Sequence, residues 1–474
     1  MEEKPKPTTV AIVGSGMAGL VTAYLLHRDP RRRYEVTVFE SGKSLSLDSA
    51  SVSLPNASRT STDRVDLPMR AFAGGYYNNL KAMYDYLDVQ YHSQSFLFEF
   101  ARRKSVKGCD PGSYERGYSP YFVHASNMHQ MPPLRPATMG RIAYLTEVVY
   151  VLACYMWFSF CSFFVAPRAT RGGVSETLEE YIRRIWLPEY FATFYLLPLL
   201  SSVTTCPHRT LLAFPAVDLT EYKRRTHGAP HYTVSNGVHT VQEKLVNGIR
   251  YELSAVVQSV EAESDGVKIR WQSTKDNYDP TVQELHFNRV ILAVSPDIVG
   301  QIFSPIRRHM SRIPTTTVES IVHTDKTTIS TTQPQSRDRS SQLICLRTST
   351  SSPNLTESIH VQPCGAVVTT CPFAPINPSQ IIQSSKFTRV LRTPESQAIV
   401  NGIFSSDTPQ HQHQHSVLGS EEKALPVWRN GDGNVWLVGG WCWDGMVLLE
   451  GCVVSAVRIA RAFGVEVPWW EEKR

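Results

Sequence analysis

Three glycines near the start of the chain, Gly14, Gly16 and Gly19, stand at the spacing G-x-G-x-x-G, with Ser15, Met17 and Ala18 between them. This is the pattern of a dinucleotide-binding turn. Gly14 permits a tight turn, Gly16 lets the backbone approach a pyrophosphate, and Gly19 lets a helix pack close to a strand. Ser15, Met17 and Ala18 complete the turn, and backbone N–H groups at the start of the helix face the phosphates. Glu40, at the end of the next apolar run, is placed to accept hydrogen bonds from the adenosine ribose. A carboxylate there disfavours a 2′-phosphate, so NADP is a poor candidate for this site, and the motif does not choose between NAD and FAD. The sequence contains no Gly-x-Ser-x-Gly elbow, His-Glu-x-x-His zinc site or Walker loop, so hydrolase and NTPase chemistry have no foothold. His411, His413 and His415 alternate in PQHQHQHS but lack a Cys or carboxylate partner at ligand spacing. They read as a polar loop, and no metal is expected.

The elements needed to hold this turn occur in order. TVAIV (9–13) is a short β-branched run, LVTAYLLHR after Gly19 has helical apolar spacing, and Pro30 breaks the pattern before YEVTVFE (34–40). Strand, glycine turn, helix, strand and acid make a dinucleotide-binding βαβ unit. The 474 residues suggest roughly three domains of about 150 each by length alone. With 42% hydrophobic and 19% charged residues, the chain lies outside the disordered regime. The formal charge of +5 comes from 48 basic and 43 acidic residues, interspersed without long like-charge runs, which argues against a nucleic-acid partner. The nine cysteines include no Cys-x-x-Cys pair and read as reduced, mostly buried thiols. The segment MEEKPKPTT has no apolar core, so the expected location is intracellular, cytoplasmic or membrane-associated, and not secreted. The sequons at Asn56 and Asn354 then carry no weight.

The far end of the chain chooses between the two cofactors. VWLV (435–438) is a strand, followed by Gly439, Gly440, and then a Gly-rich helix start containing Glu450 and Gly451. With these residues the chain resembles the flavin-containing amine oxidoreductase superfamily, and within it the predicted NAD/FAD-binding amine-oxidase-like group of fungal type. Further landmarks keep the same order: VDLPMRAFAGGYYNNL (65–80), YTVSNGV (232–238), AVVQSV (255–260) and RVILAVSP (289–296). The resemblance implies an α/β fold in which a Rossmann-like FAD-binding domain of the GR2/amine-oxidase type is interleaved with an α+β substrate domain. The FAD-binding pieces are expected at 1–80, 232–300 and 420–474, and the substrate pieces at 81–231 and 301–419. Noncovalent FAD is the implied cofactor, with the backbone of Val257 meeting the adenine. Gly439, Gly440, Glu450 and Gly451 would close over the flavin, and Trp441 and Trp443 would wall its ring. Arg70 either faces the flavin N1 and C2 carbonyl region or pairs with Asp66 as a structural bridge, and Glu450 is alternatively a helix-start residue favoured by the dipole. Two departures stand out. Only Gly42 follows Glu40 where relatives have a glycine pair, and Gly440–Trp441 stands where many carry an acid.

VVYVLACYMWFSFCSFFVA (148–166) is free of charge and about long enough to cross a bilayer core. A single crossing would put the two halves of one cofactor site on opposite sides of a membrane. The expectation is therefore a buried or interfacial helix, with a two-crossing hairpin or a plain core helix as alternatives. The Ser/Thr-rich stretch 326–353 reads as a loose surface insertion. IWLPEYFATFYLLPLL (185–200) and LLAFPAV (211–217) are expected to line an apolar cavity suited to a hydrophobic small molecule, lipid-like or a natural-product intermediate. The resemblance implies oxidation or desaturation by hydride transfer to flavin N5, for which no general base is identifiable. A flavin-dependent isomerase and a non-catalytic lipid-binding relative are the alternatives.

Overall fold

The fingerprint strand Thr8–Val13 lies at the centre of a five-stranded parallel sheet in the computed structural model. The strand order is Arg250–Leu253, Tyr34–Glu40, Thr8–Val13, Arg289–Leu292, Val435–Leu437. The model describes residues 6–56, 58, 60–103, 118–137, 139–169, 174–275, 281–329, 340–349, 355–404 and 428–470. Alternation along the first strand sorts its side chains to two faces. Val10 and Ile12 join a core with Leu20, Leu26 and the C-terminal helix Leu449–Ala462, whereas Ala11 and Val13 join a second core with Val257, Ile269 and Phe303. A three-stranded antiparallel sheet, Ala255–Glu263, Gly266–Ser273 and Val282–Phe287, covers that second face. Both faces are therefore dry, as near-continuous apolar strands require.

A seven-stranded mixed sheet forms the other large layer. Its order is Ile381–Val390, Thr315–His323, Val367–Thr370, Thr356–Val361, Gln342–Thr348, Phe96–Arg103, Tyr118–Ala125. It joins chain from before and after the Arg250–Leu292 strands of the parallel sheet, through a parallel pairing of Gln342–Thr348 with Phe96–Arg102. This corrects the expectation of a loose insertion over 326–353. Leu343–Thr348 is buried and sits within the sheet, because a strand needs only about five or six residues and the short apolar run Leu343–Leu346 suffices. Residues 330–339 and 350–353 lie outside the described residues, as do His411, His413 and His415.

The apolar run folds as the helix Arg141–Phe164, which stops short of Pro167, as the restriction on residues before proline favours. Only one stripe is buried: Cys154, Phe158, Cys161 and Ser162. A plain core helix is thus ruled out, since Ile142 is 84% and Phe164 75% exposed, and Leu145, Val149, Met156 and Phe160 are exposed as well. The neighbouring segment Glu189–Thr204 is helical with a π-helical turn at Ala192–Leu196. The hydroxyls of Tyr190 and Tyr195 both bond Glu147 on the long helix, fixing the two segments side by side.

Candidate active site

The glycine turn is shaped by what a side chain would strike. Gly14 has φ +104°, and a Cβ there would meet the Ala293 carbonyl oxygen at 2.7 Å. At Gly19 a Cβ would overlap the carbonyl oxygen of Gly14. Gly16 differs, because nothing lies within 4 Å of its Cβ position. Gly16 caps the helix Met17–His27 without a side-chain bond, so no capping side chain covers the N–H groups of the first turn. This is a cradle for an anion, strengthened by the helix dipole.

The Glu40 carboxylate folds back onto the same turn. Its Oε2 accepts from Ser15 N (3.1 Å) and Ser15 Oγ (2.5 Å), and its Oε1 from Gly42 N (2.8 Å) and, more weakly, Ser41 Oγ (3.3 Å). Ser15 Oγ in turn accepts from Ser46 N at 2.7 Å. The single glycine after Glu40 is thus used to close the loop on the carboxylate. The long Ser41 bond leaves one acceptor position on Oε1 that a ribose hydroxyl can take over.

A cavity of about 880 Å³ opens from this turn. Gly16, Met17 and Ala18 form one end, Arg70, Gly439, Gly440 and Trp441 form a side, and Phe96, Phe98, Tyr77, Tyr222 and Arg389 lie around the rest. The two ends of the sequence therefore meet on one space. Arg70 donates through Nη2 to Leu47 O at 3.1 Å, and its buried Nε has no partner. The Asp66 bridge is not made: the Asp66 carboxylate accepts the Val238 N–H instead, at 3.0 and 3.1 Å. Burial pushes the Cys452 thiol up to about 11, and Gly440 lies against its sulfur.

Other expected residues lie off this space. Glu40, Val257, Glu450, Gly451 and Trp443 are not in the cavity wall. Val257 packs in the core with Phe39 and Trp271. Glu450 is turned away to cap a different helix, accepting from Asn79 N (2.9 Å), Asn79 Nδ2 (2.6 Å) and Leu80 N (3.0 Å) at the start of Asn78–Tyr86. It was expected at the cofactor, but three donors at an open helix end claim it. Gly451 is required by packing, since a Cβ would meet the Gly440 carbonyl oxygen at 2.6 Å. Trp443 donates to Met446 O at 2.9 Å and sits against Tyr76. The segment 185–200 was expected to line the cavity, yet Phe191 and Tyr195 pack in the core, and the wall comes from Ser202, Val203, Thr204 and Phe214.

Sequence reasoning missed two features of the cavity wall and one buried support behind it. Arg389 and Lys386 come from the edge strand Ile381–Val390, and among the described residues the Arg389 side chain bonds Thr205 Oγ1, at 3.0 Å. His231 lines the wall with an unpartnered Nδ1, and burial lowers its pKa, so the ring is neutral. Arg392, fully buried beside Asp218 at 3.9 Å, donates to Trp441 O, Trp443 O and Gly445 O. One guanidinium thus pins the whole Gly439–Gly445 loop. No local pattern distinguishes these residues, because strand position alone decides which of them faces inward.

Residues 12–87 match the family model of an NAD(P)-binding Rossmann-like domain. The fold is also that of cyclohexylamine oxidase from Brevibacterium oxydans IH-35A, at TM-score 0.54 and 12% identity, covering 97% of this chain and 100% of that one. The CLA-producing fatty acid isomerase from P. acnes aligns at TM-score 0.57 and 11% identity, covering 96% and 99%. The chain has the flavin amine-oxidase-like fold. An oxidoreductase from Methanosarcina mazei shares it at TM-score 0.53 and 10% identity, over 96% and 100%. No curated protein sequence matches. The present residues fit FAD: the cradle at Gly16 is open, the buried Arg70 Nε is orphaned, and the Oε1 of Glu40 has an exchangeable partner.

Proposed function

We propose that the protein is an FAD-dependent oxidoreductase that oxidises or desaturates a hydrophobic small molecule. The observation that carries this reading is the single cavity shared by the phosphate cradle, Arg70 and an aromatic wall. When bound, FAD supplies a hydride acceptor at N5. The first turn of Met17–His27 and the Arg70 guanidinium would hold the anionic part of the cofactor, with Gly439 and Gly440 allowing close backbone approach. Phe96, Phe98, Tyr77 and Tyr222 exclude water and orient an apolar body. The test is the absorption spectrum of the purified protein. Flavin bands near about 450 nm that bleach anaerobically with a lipid extract support the reading. A colourless protein that takes up no FAD on reconstitution refutes it and leaves a non-catalytic binder.

A second reading is isomerisation without net electron transfer, supported by the shared fold of the fatty acid isomerase. Product mass separates the two, because oxidation gives a product two hydrogens lighter and isomerisation does not.

The exposed side of Arg141–Phe164 supports contact with a lipid surface as part of the same function. Its outward residues join Trp186, 87% exposed, which is held beside the helix by the bond from Trp157 Nε1 to Ile185 O at 2.7 Å. An aromatic and aliphatic face of this extent, with Arg168 and Arg183 nearby in sequence, suits an interfacial helix lying in one leaflet. At about 36 Å the helix is long enough to span a bilayer, but its buried stripe remains packed on the protein.

A further inference from the structure

The charge of the cavity wall is one-sided. Arg70, Lys386 and Arg389 line it, and no Asp or Glu does. Arg70 stands at the cradle end, bonded to Leu47 O and close to Cys452. Its charge would meet the anionic part of a bound cofactor. Arg389 comes from a different element, the strand Ile381–Val390, and lies among Tyr77, Cys371 and Thr205. Its single bond is to a neutral hydroxyl, and it has no ion pair among the described residues. Thr205 ends the helix Leu197–Thr204, so the guanidinium gains a helix-dipole interaction there, which balances only part of a full charge. Burial pushes Arg389 down to about 10, with Arg70 adding repulsion. Arg389 is half-buried, and partly desolvating a guanidinium without a counter-charge has a cost that an anionic ligand would offset.

We propose that Arg389 is the counter-ion for an acidic head group, a carboxylate, on an otherwise apolar substrate. The proposal rests on the cavity being the substrate site of the proposed oxidoreductase, and it names the class of substrate. A cationic amine entering the same space meets three positive side chains and no carboxylate, so the wall selects against it. An apolar acid places its chain on Phe96, Phe98 and Tyr222 and its carboxylate on the Arg389 fork, for which guanidinium geometry is suited. Lys386, exposed at the edge strand, adds attraction at entry.

Calorimetry on the full chain, loaded with FAD, tests this with three probes of one chain length: dodecanoate, methyl dodecanoate and dodecylamine. Dodecanoate is expected to bind about tenfold or more tighter than either of the others. Arg389→Gln should remove that preference while leaving the weak ester binding and the flavin-to-protein ratio unchanged, and Arg389→Lys should restore part of it. Circular dichroism checks that both variants fold. The proposal is overturned by equal or tighter binding of the amine, by no binding of dodecanoate, by an unchanged preference in Arg389→Gln, or by loss of flavin in that variant. Flavin content is read separately, so a colourless protein refutes the oxidoreductase reading, whereas a yellow protein without acid preference refutes only this one.

Discussion

The glycine turn and the sheet wall bound the same cavity by different means. At the turn, the backbone does the work: Gly14 and Gly19 are forced by contacts with Ala293 and with each other, and Gly16 leaves open space where a side chain would stand. At the wall, side chains do the work, and they come from strands as far apart in sequence as Phe96 and Arg389. A backbone site tolerates almost no substitution where it is packed and is blocked by substitution where it is open. A side-chain site can be retuned one residue at a time, which separates the chemistry of the fold from the choice of substrate.

The largest expected effects separate the glycines. Gly14→Val and Gly19→Val should prevent folding or cost several kcal/mol, about 3 or more, read by denaturant titration. Gly16→Val should fold normally and lose FAD, because its side chain occupies only the cradle. A second contrast is electrostatic. His124, His208 and His360 are held to about 4 by burial, well below the unfolded value of about 6.5. The unfolded chain then binds more protons between pH 6.5 and 4, so their stability contribution is full above 6.5 and is lost as pH falls through that window. Each group contributes a slope of up to about 1.4 kcal/mol per pH unit. Thermal melts should therefore show Tm dropping steeply from pH 6.5 to pH 4.5, with His360→Gln flattening part of the slope.

A smaller effect tests the reassignment of Glu450. Glu450→Ala should destabilise the fold by about 1–3 kcal/mol, because it strands the Asn79 and Leu80 donors, while FAD affinity changes little. A large loss of FAD without loss of stability would return Glu450 to the cofactor. The smallest effect concerns the surface. Phe160→Ser with Phe164→Ser should leave stability within about 0.5 kcal/mol and reduce flotation with vesicles of mixed zwitterionic and anionic lipid. Unchanged flotation would remove the helix face from the account.

The sequence discloses the turn well because its requirements are local. Gly14, Gly16, Gly19 and Glu40 sit within one βαβ unit, and steric need fixes their types. Gly439 and Gly440 are legible for the same reason. Glu450 was misplaced because an acid at a helix start looks the same whether it faces a cofactor or the N-terminus of Asn78–Tyr86. The strand Gln342–Thr348 was hidden by the polar sequence around it. Arg389 and His231 carried no signal, since which side of a strand faces the cavity is decided by pairing partners more than a hundred residues away in some cases, as with Phe96 and Gln342. The apolar helix was legible as a helix, but its half-buried state depends on Tyr181, Phe191 and the other residues packed against it.

The most direct test of the central claim is the flavin content of the purified protein set beside that of Gly16→Val. The account predicts a yellow protein with about one FAD per chain, and a colourless variant with an unchanged circular dichroism spectrum and unfolding midpoint. A colourless parent that fails to take up FAD, or a Gly16→Val variant that binds FAD as tightly as the parent, would contradict it.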